Sequence, residues 1–196
     1  MKKHVFSIVV LALLTVLACK ETATADQSES EDKTTAADET EAPDYATFDK
    51  SAAVLSSFLQ AHCDEDLEAL TAMLSDTLKW SPPFYNGNKW LGKEDFLPVL
   101  KNYHDGFEDI RYTAGITLAD TTGSGVFAGS VFPKDVATSD PSTIRQYGTW
   151  SAKHTETGKM IGVKWYAIGS VNDDGKIVMW TEYFDANGIA VQIAEE

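Results

Sequence analysis

The sequence predicts an α+β fold, and two observations carry the prediction. Three segments beginning at Phe48 space their apolar residues at helical intervals. Everything after Asp109 runs as short stretches rich in aromatic and β-branched residues, split by turn-forming residues. Neighbouring strands joined by tight turns form antiparallel hairpins, so helices come first and a meander of strands follows.

The first 18 residues stand outside that fold. Lys2 and Lys3 precede an almost unbroken apolar run, Val5 to Ala18. The run is shorter than the roughly 20 residues of a resident membrane helix and suits a signal-peptide core. It ends in Val16-Leu17-Ala18-Cys19, which resembles a bacterial lipobox. The resemblance implies cleavage before Cys19 and acylation of that residue. The plain alternative is an ordinary secretory signal beside a coincidental cysteine. Several acyl chains on one residue anchor durably, where one chain binds reversibly. This expectation places the protein in the bacterial cell envelope, lipid-anchored at the outer membrane.

Residues 19–47 read as the lipidated cysteine and a disordered acidic tether. Lys20 to Thr47 holds nine acids and two lysines among Thr, Ala and Ser. With no apolar periodicity it cannot offset its ordering entropy. Like charges extend it and hold the domain away from an anionic membrane.

The folded domain is expected over residues 48–196. Phe48, Ala52, Leu55, Phe58, Leu59 and His62 mark a first helix. Asp64 is a candidate N-cap for a second, with Leu67, Leu70, Met73 and Leu74 on one face and Asp76 closing it. Leu78-Lys79-Trp80 reads as a short strand stopped by Pro82-Pro83. Gly92 leads into a third helix, Lys93 to Phe107, which Pro98 should kink or split. Strands follow at Ile110–Leu118, Gly125–Phe132, Ile144–His154, Met160–Val171 and Lys176–Phe184. The expected turns are Asp120 to Gly123, Thr155 to Gly158 and Asn172 to Gly175. The long connection Pro133 to Thr143 is either a flap beside a site or a variable loop.

Composition removes several function classes. Thirty acidic residues against sixteen basic give a net charge of −14, which excludes the basic face that nucleic acid requires. Two cysteines make neither a disulfide framework nor a four-cysteine zinc site, and four scattered histidines suggest no metal cluster. The sequence contains no phosphate loop, dinucleotide fingerprint or nucleophile elbow, so no cofactor is expected.

An ordered string of short segments resembles the SnoaL-like proteins of the nuclear transport factor 2-like superfamily. The segments are Asp76 to Pro82, Gly92-Lys93-Glu94 with Phe96-Leu97, His104 to Arg111, Tyr147 to Trp150 with Thr157-Gly158-Lys159, and Gly175-Lys176-Ile177 with Glu182 to Asp185. The resemblance spans Phe48 to Ala194. It implies a cone-shaped α+β barrel, a curved antiparallel sheet wrapped over three N-terminal helices with a central cavity. It also implies pairing of two copies through the outer sheet face. The superfamily hosts cyclases, isomerases and epoxide hydrolases as well as binders, so function has to come from the site.

In the last strand, alternation puts Trp180, Glu182 and Phe184 on one face. If that face meets the cavity, Glu182 is desolvated between aromatics, its pKa rises, and it becomes a candidate general acid or base. The family places a recurrent acid/base carboxylate in this strand. The competing reading puts Glu182 on the solvent face, paired with Lys153 or Lys164. His104, on the third helix, is the second catalytic candidate; a core histidine bonded to backbone is its bland reading. His62 is explained by helix-end capping and Cys63 by burial. Asp185 closes the last strand and bonds the turn at Asn187-Gly188.

Trp80, Tyr147, Trp150, Trp180 and Phe184 are the candidate ligand-binding residues, with Trp80 opposite the last strand and His104 or Tyr147 as partners for Glu182. An aromatic-walled cavity suits a small apolar molecule, and plain core packing explains the same residues. The catalytic sets of the epoxide hydrolases and ketosteroid isomerases do not carry over. The first strand holds Trp80 and Pro82, residues 147–152 offer no Arg or Asp, and the first helix, read as Phe48 to His62, has no tyrosine. Two readings stay open: a binding protein for a small apolar ligand, and a cofactor-free isomerase, cyclase or hydrolase that uses Glu182. Where Glu182 points discriminates them.

Overall fold

The structure is a computed structural model, and it describes residues 41–118, 121–124, 126–135, 137 and 139–194. The chain divides into two units, and these residues belong to the second, Thr40–Glu196. The leader, Cys19 and most of the tether lie outside the described residues. No helix among the described residues is long and apolar enough to cross a membrane.

Helix α1 spans Tyr45–Cys63. It takes up Tyr45, Ala46 and Thr47, which composition assigns to the tether. The Asp44 carboxylate starts it by accepting the Thr47 N–H at 2.9 Å. Ser51, Leu55, Phe58 and Leu59 form its buried stripe. Helix α2 is short, Leu67–Met73, and its N-cap is Asp66, which accepts the Ala69 N–H. Asp64, the expected cap, instead accepts from the Gln60 amide. Glu65 takes the left-handed conformation between them, at φ 57°, and shifts the cap by two residues.

Strand β1, Leu74–Ser81, begins where the second helix was expected to continue. Helix α3, Lys93–Gly106, runs through Pro98 without splitting. The bond that proline removes would reach the Glu94 carbonyl, and both residues are exposed, so solvent satisfies that group. Strand β2, Phe107–Ala114, starts earlier than expected and carries a bulge at Asp109, φ 54°. Gly115, at φ 89°, turns the chain out of β2 into a small ribbon of β3, Ile116–Leu118, and β4, Thr121–Ser124. Thr121 to Gly123 are therefore strand and not turn. Strand β5 is only Val126–Ala128.

Three long strands follow: β6, Thr143–His154, β7, Met160–Val171, and β8, Ile177–Phe184. The turns between them are the predicted ones. Gly158 and Gly175 supply the positive φ values, 69° and 73°. A last helix, α4, Ala186–Ala194, was not anticipated. Asp185 opens it by accepting the Gly188 N–H at 2.8 Å, so the expected turn is the helix's first turn.

The main sheet has the order β1-β8-β7-β6-β2, with β5 also paired to β6. It is open, so the fold is not a closed barrel. It is also mixed, because β1 pairs with β8 in parallel, Trp80 opposite Trp180. The hairpin argument reaches only strands adjacent in sequence, and β1 and β8 are about 100 residues apart. The inner face of β6 and β7 alternates strictly, as Ile144, Gln146, Gly148, Trp150 and Ala152 face Ile161, Val163, Trp165 and Ala167. A bulge near Val178 breaks the alternation in β8, so Ile177 and Trp180 are both buried. The concave face holds α1 and α3. The loop from Pro133 to Thr143 is pinned by Asp140, which accepts from the Ser142 N–H. Its described residues are not among those that line the cavity.

Candidate functional site

A cavity lies between the concave face of the sheet and helices α1 and α3. Phe58, Leu59 and His62 of α1 and Phe96, Val99, Leu100 and Tyr103 of α3 form one side. Tyr112, Trp150, Val163, Trp165, Trp180, Glu182 and Phe184 form the sheet side, and Ile189 of α4 also lines the space. The space open to the centres of water-sized molecules is about 60 Å³. That is well under the roughly 150 Å³ of an apolar cavity that takes benzene, so the space suits only a small group.

Local structure explains the lining. The Gln192 amide clamps α4 onto the sheet by bonding both the N–H and the carbonyl of Gly162, at 3.0 and 3.1 Å. It covers a stretch of β7 that β8 does not reach, and it brings Ile189 to the cavity. Gly148 leaves space for the Tyr112 ring; a Cβ there would overlap it. The Tyr112 hydroxyl donates to the Tyr147 carbonyl at 2.7 Å, which fixes the ring against the wall.

Glu182 is inside. Trp180, Glu182 and Phe184 share the cavity face, as strand alternation requires. The solvent-side pairing with lysine does not form: Lys153 pairs with Glu108 at 2.6 Å. The residue counts as partly accessible because the cavity reaches it, but protein surrounds it on every side. Its partner is neither His104 nor Tyr147. The Trp165 indole N–H donates to Glu182 Oε2 at 3.2 Å. The indole N–H groups of Trp180 and Trp80 act on the same carboxylate and favour its charged form. Neither closes to hydrogen-bond geometry, and both nitrogens are sealed from solvent and cavity. Burial outweighs the three donors and raises the Glu182 pKa.

Trp80 does not stand opposite β8. It lies beside Trp180 in the parallel β1–β8 pairing, behind the cavity wall and 1% exposed. Tyr147 faces the outer side of the sheet, where its ring packs on Tyr166 at 4.9 Å. Strand parity separates it from Trp150 by an odd number of residues and so puts it on the opposite face.

His104 does not line the cavity but reaches it through His62. His62 Nδ1 and His104 Nε2 are 3.1 Å apart, and the Trp150 indole donates to His62 Nε2 at 3.1 Å. An indole nitrogen only donates, so His62 Nε2 accepts and its Nδ1 carries the proton toward His104. Burial, helped by the nearby His104, lowers the His62 pKa to about 4. His104 is lowered by its partial burial, with Lys101 adding to the shift and Glu65 and Asp105 opposing it. Burial raises the Tyr103 and Tyr112 hydroxyls to about 12, and the Glu182 charge adds to the first. His62, Tyr103 and Tyr112 therefore stay neutral near pH 7, and Glu182 is the one carboxyl among the described residues that line the cavity.

Sequence reasoning missed His62, Tyr103, Tyr112 and Trp165. His62 sits where capping explains a histidine, yet it continues the buried stripe of α1, and that was the available signal. Trp165 had a signal too, as an inward position of an alternating strand. Cys63 behaves as expected: it is half-buried, and burial raises its thiol pKa. Among the described residues, no group of three His, Cys, Asp or Glu could hold a metal ion.

No family model matches the chain, and no curated protein matches it by sequence. Solved structures do match in fold. A candidate isomerase from Bacillus subtilis superposes with a TM-score of 0.55 at 16% identity, over 76% of this chain and 96% of that one. A nuclear transport factor 2-like protein from Burkholderia xenovorans gives 0.51 at 15%, over 74% and 96%. A candidate polyketide cyclase from Xanthomonas campestris gives 0.51 at 15%, over 76% and 99%. The domain has the nuclear transport factor 2-like fold, as the sequence resemblance implied.

Proposed function

We propose that this domain binds a small, largely apolar molecule in the aromatic cavity, with Glu182 as its polar anchor. The observation that carries the reading is one carboxylate inside a space otherwise walled by aromatic and aliphatic side chains. Such a composition suits a ligand that buries hydrocarbon and is oriented by one polar group. The test is native mass spectrometry of the purified protein together with extraction of co-purified small molecules. A bound species displaced by Glu182→Gln supports the reading. An empty cavity, with no indole NMR shift on titration of small aromatic and aliphatic amines and alcohols, sinks it.

A second reading is favoured by the raised pKa of Glu182. A carboxyl whose pKa is raised by burial keeps its proton to higher pH than a free one, which suits general acid/base work. On this reading the domain is a cofactor-free isomerase, cyclase or hydrolase. The fold neighbours described as a candidate isomerase and a candidate polyketide cyclase agree with that class. The size of the cavity argues for a small substrate. His104 acts here only through His62, and no second acid reaches the cavity. Turnover abolished by Glu182→Gln, with ligand binding kept, would favour this reading over simple binding.

The lipobox at Val16 to Cys19 supports anchoring of the domain to the cell envelope through an acylated Cys19, at the outer membrane. Acyl labelling that persists in Cys19→Ser would overturn it. Pairing of two copies through the outer sheet face is supported by the ring ladder Tyr147, Tyr166 and Tyr183, in which Tyr183 is 58% exposed. A monomer mass by light scattering at micromolar concentration would refute it.

A further inference from the structure

We infer that the cavity selects a small organic ammonium ion, whose N–H meets Glu182 while its alkyl groups lie against the surrounding aromatic rings. This deepens the ligand-site reading above and rests on it.

Hydrogen-bond arithmetic comes first. The protein groups directed at the Glu182 carboxylate are indole N–H groups, from Trp165, Trp180 and Trp80. Indoles donate and never accept, so the carboxylate stays an acceptor toward anything in the cavity. The unpaired nitrogens of Trp80 and Trp180 offer nothing to a ligand, because both are sealed from it. His62 Nε2 is taken by Trp150, and the Tyr112 hydroxyl donates to the Tyr147 carbonyl. The Tyr103 hydroxyl also lines the cavity and can donate or accept, so it is Glu182 that calls for a ligand with a donor.

Charge gives the same answer. No lysine or arginine lines the cavity, and His62 is held neutral. A buried carboxylate without a cation is costly, and a ligand cation supplies the missing partner. Tyr103, Trp150, Trp165 and Phe184 line the same space, and a ring face, the negative pole of an aromatic ring, attracts a cation that lies against it. An anionic ligand meets repulsion from the carboxylate. The net charge of −14 draws cations toward the protein from solution.

Size sets the limit. A cavity of about 60 Å³, under the roughly 150 Å³ that takes benzene, limits the ligand to an ammonium with few methyl groups.

The experiment titrates the full-length protein with trimethylammonium chloride, tert-butanol and sodium acetate, with sodium chloride as the ionic-strength control. The readouts are the Trp165 indole NMR resonance and the melting temperature. Trimethylammonium should shift both, at least about tenfold more tightly than tert-butanol, while acetate does nothing. Glu182→Gln should lose at least that tenfold preference. On the wild-type protein, trimethylammonium binding should strengthen as pH rises through the raised Glu182 pKa, a result that stands even if the variant fails to fold. Equal binding of tert-butanol, or pH-independent binding, overturns the ammonium inference and leaves the ligand site standing. No perturbation by either compound overturns the ligand site as well.

Discussion

Buried polar groups at single positions set much of this domain's pH behaviour. Glu182 holds its proton to a higher pH than the unfolded chain does. Its contribution to stability is therefore full below the ordinary glutamate pKa, near 4.5, and is lost as pH rises through the folded value. Glu182→Gln should melt higher than wild type at pH 7, with the gap closing on acidification toward about pH 4. His62 behaves in the opposite sense. Its folded pKa of about 4 lies below the ordinary 6.5. The folded protein sheds that proton first, so stability falls as pH drops from about 6.5 to about 4, by about 3 kcal/mol at most. Urea unfolding across that range should show the slope in wild type and a flatter one in His62→Gln, whose amide oxygen can still accept from Trp150. Gln146 is a different case. It is fully buried on the inner face of β6, and neither amide atom finds a partner. Gln146→Met keeps the volume and removes the unsatisfied atoms. It should raise unfolding free energy by about 1–3 kcal/mol, measured by urea titration.

At the level of elements, two attachments give the cavity its shape. The first is the chain Trp150–His62–His104, which ties β6, α1 and α3 together through ring nitrogens. The second is α4, held by Gln192 against Gly162 and by the Lys159 ammonium on the Ile193 carbonyl at 2.7 Å. Gln192→Ala removes both contacts to β7. It should cost about 1–2 kcal/mol and speed amide exchange across residues 186–194 before the sheet opens. An equal protection loss throughout the domain would show that α4 is not a separate cooperative unit.

For the molecule as a whole, the described domain carries its own core. Leu55, Leu70, Ile144, Ile161 and Ile177 are fully or almost fully buried together with Trp80 and Trp180. The start of α1 is secured within the domain, by the Asp44 cap and by the Asp44 N–H donating to the Val131 carbonyl. A chain beginning at Thr40 should therefore melt within about 1 °C of the full-length protein by calorimetry. A drop of several degrees would mean that the acidic segment adds to the folded state. A chain beginning at Phe48, where the apolar spacing first becomes visible, loses the cap and should melt lower.

What the sequence determined by itself is what local sterics control. Helical spacing, strand alternation and positive-φ glycines act within a few residues, so they made the order of α1, α3 and the β6–β7–β8 meander legible. The same locality placed Trp180, Glu182 and Phe184 on one face. It could not say which face turned inward, since that depends on what covers the sheet. Helix α4 was hidden because Asp185, Asn187 and Gly188 have the composition of a turn, and capping turns and free turns use the same residues. The parallel pairing of β1 with β8 joins distant parts of the chain, and no local signal specifies it. That pairing brings Trp80 beside Trp180, and the β7–β8 register brings Trp165 to Glu182. Only the tertiary structure could converge three indoles on one carboxylate, because each arrives on a different strand and their meeting is decided by packing.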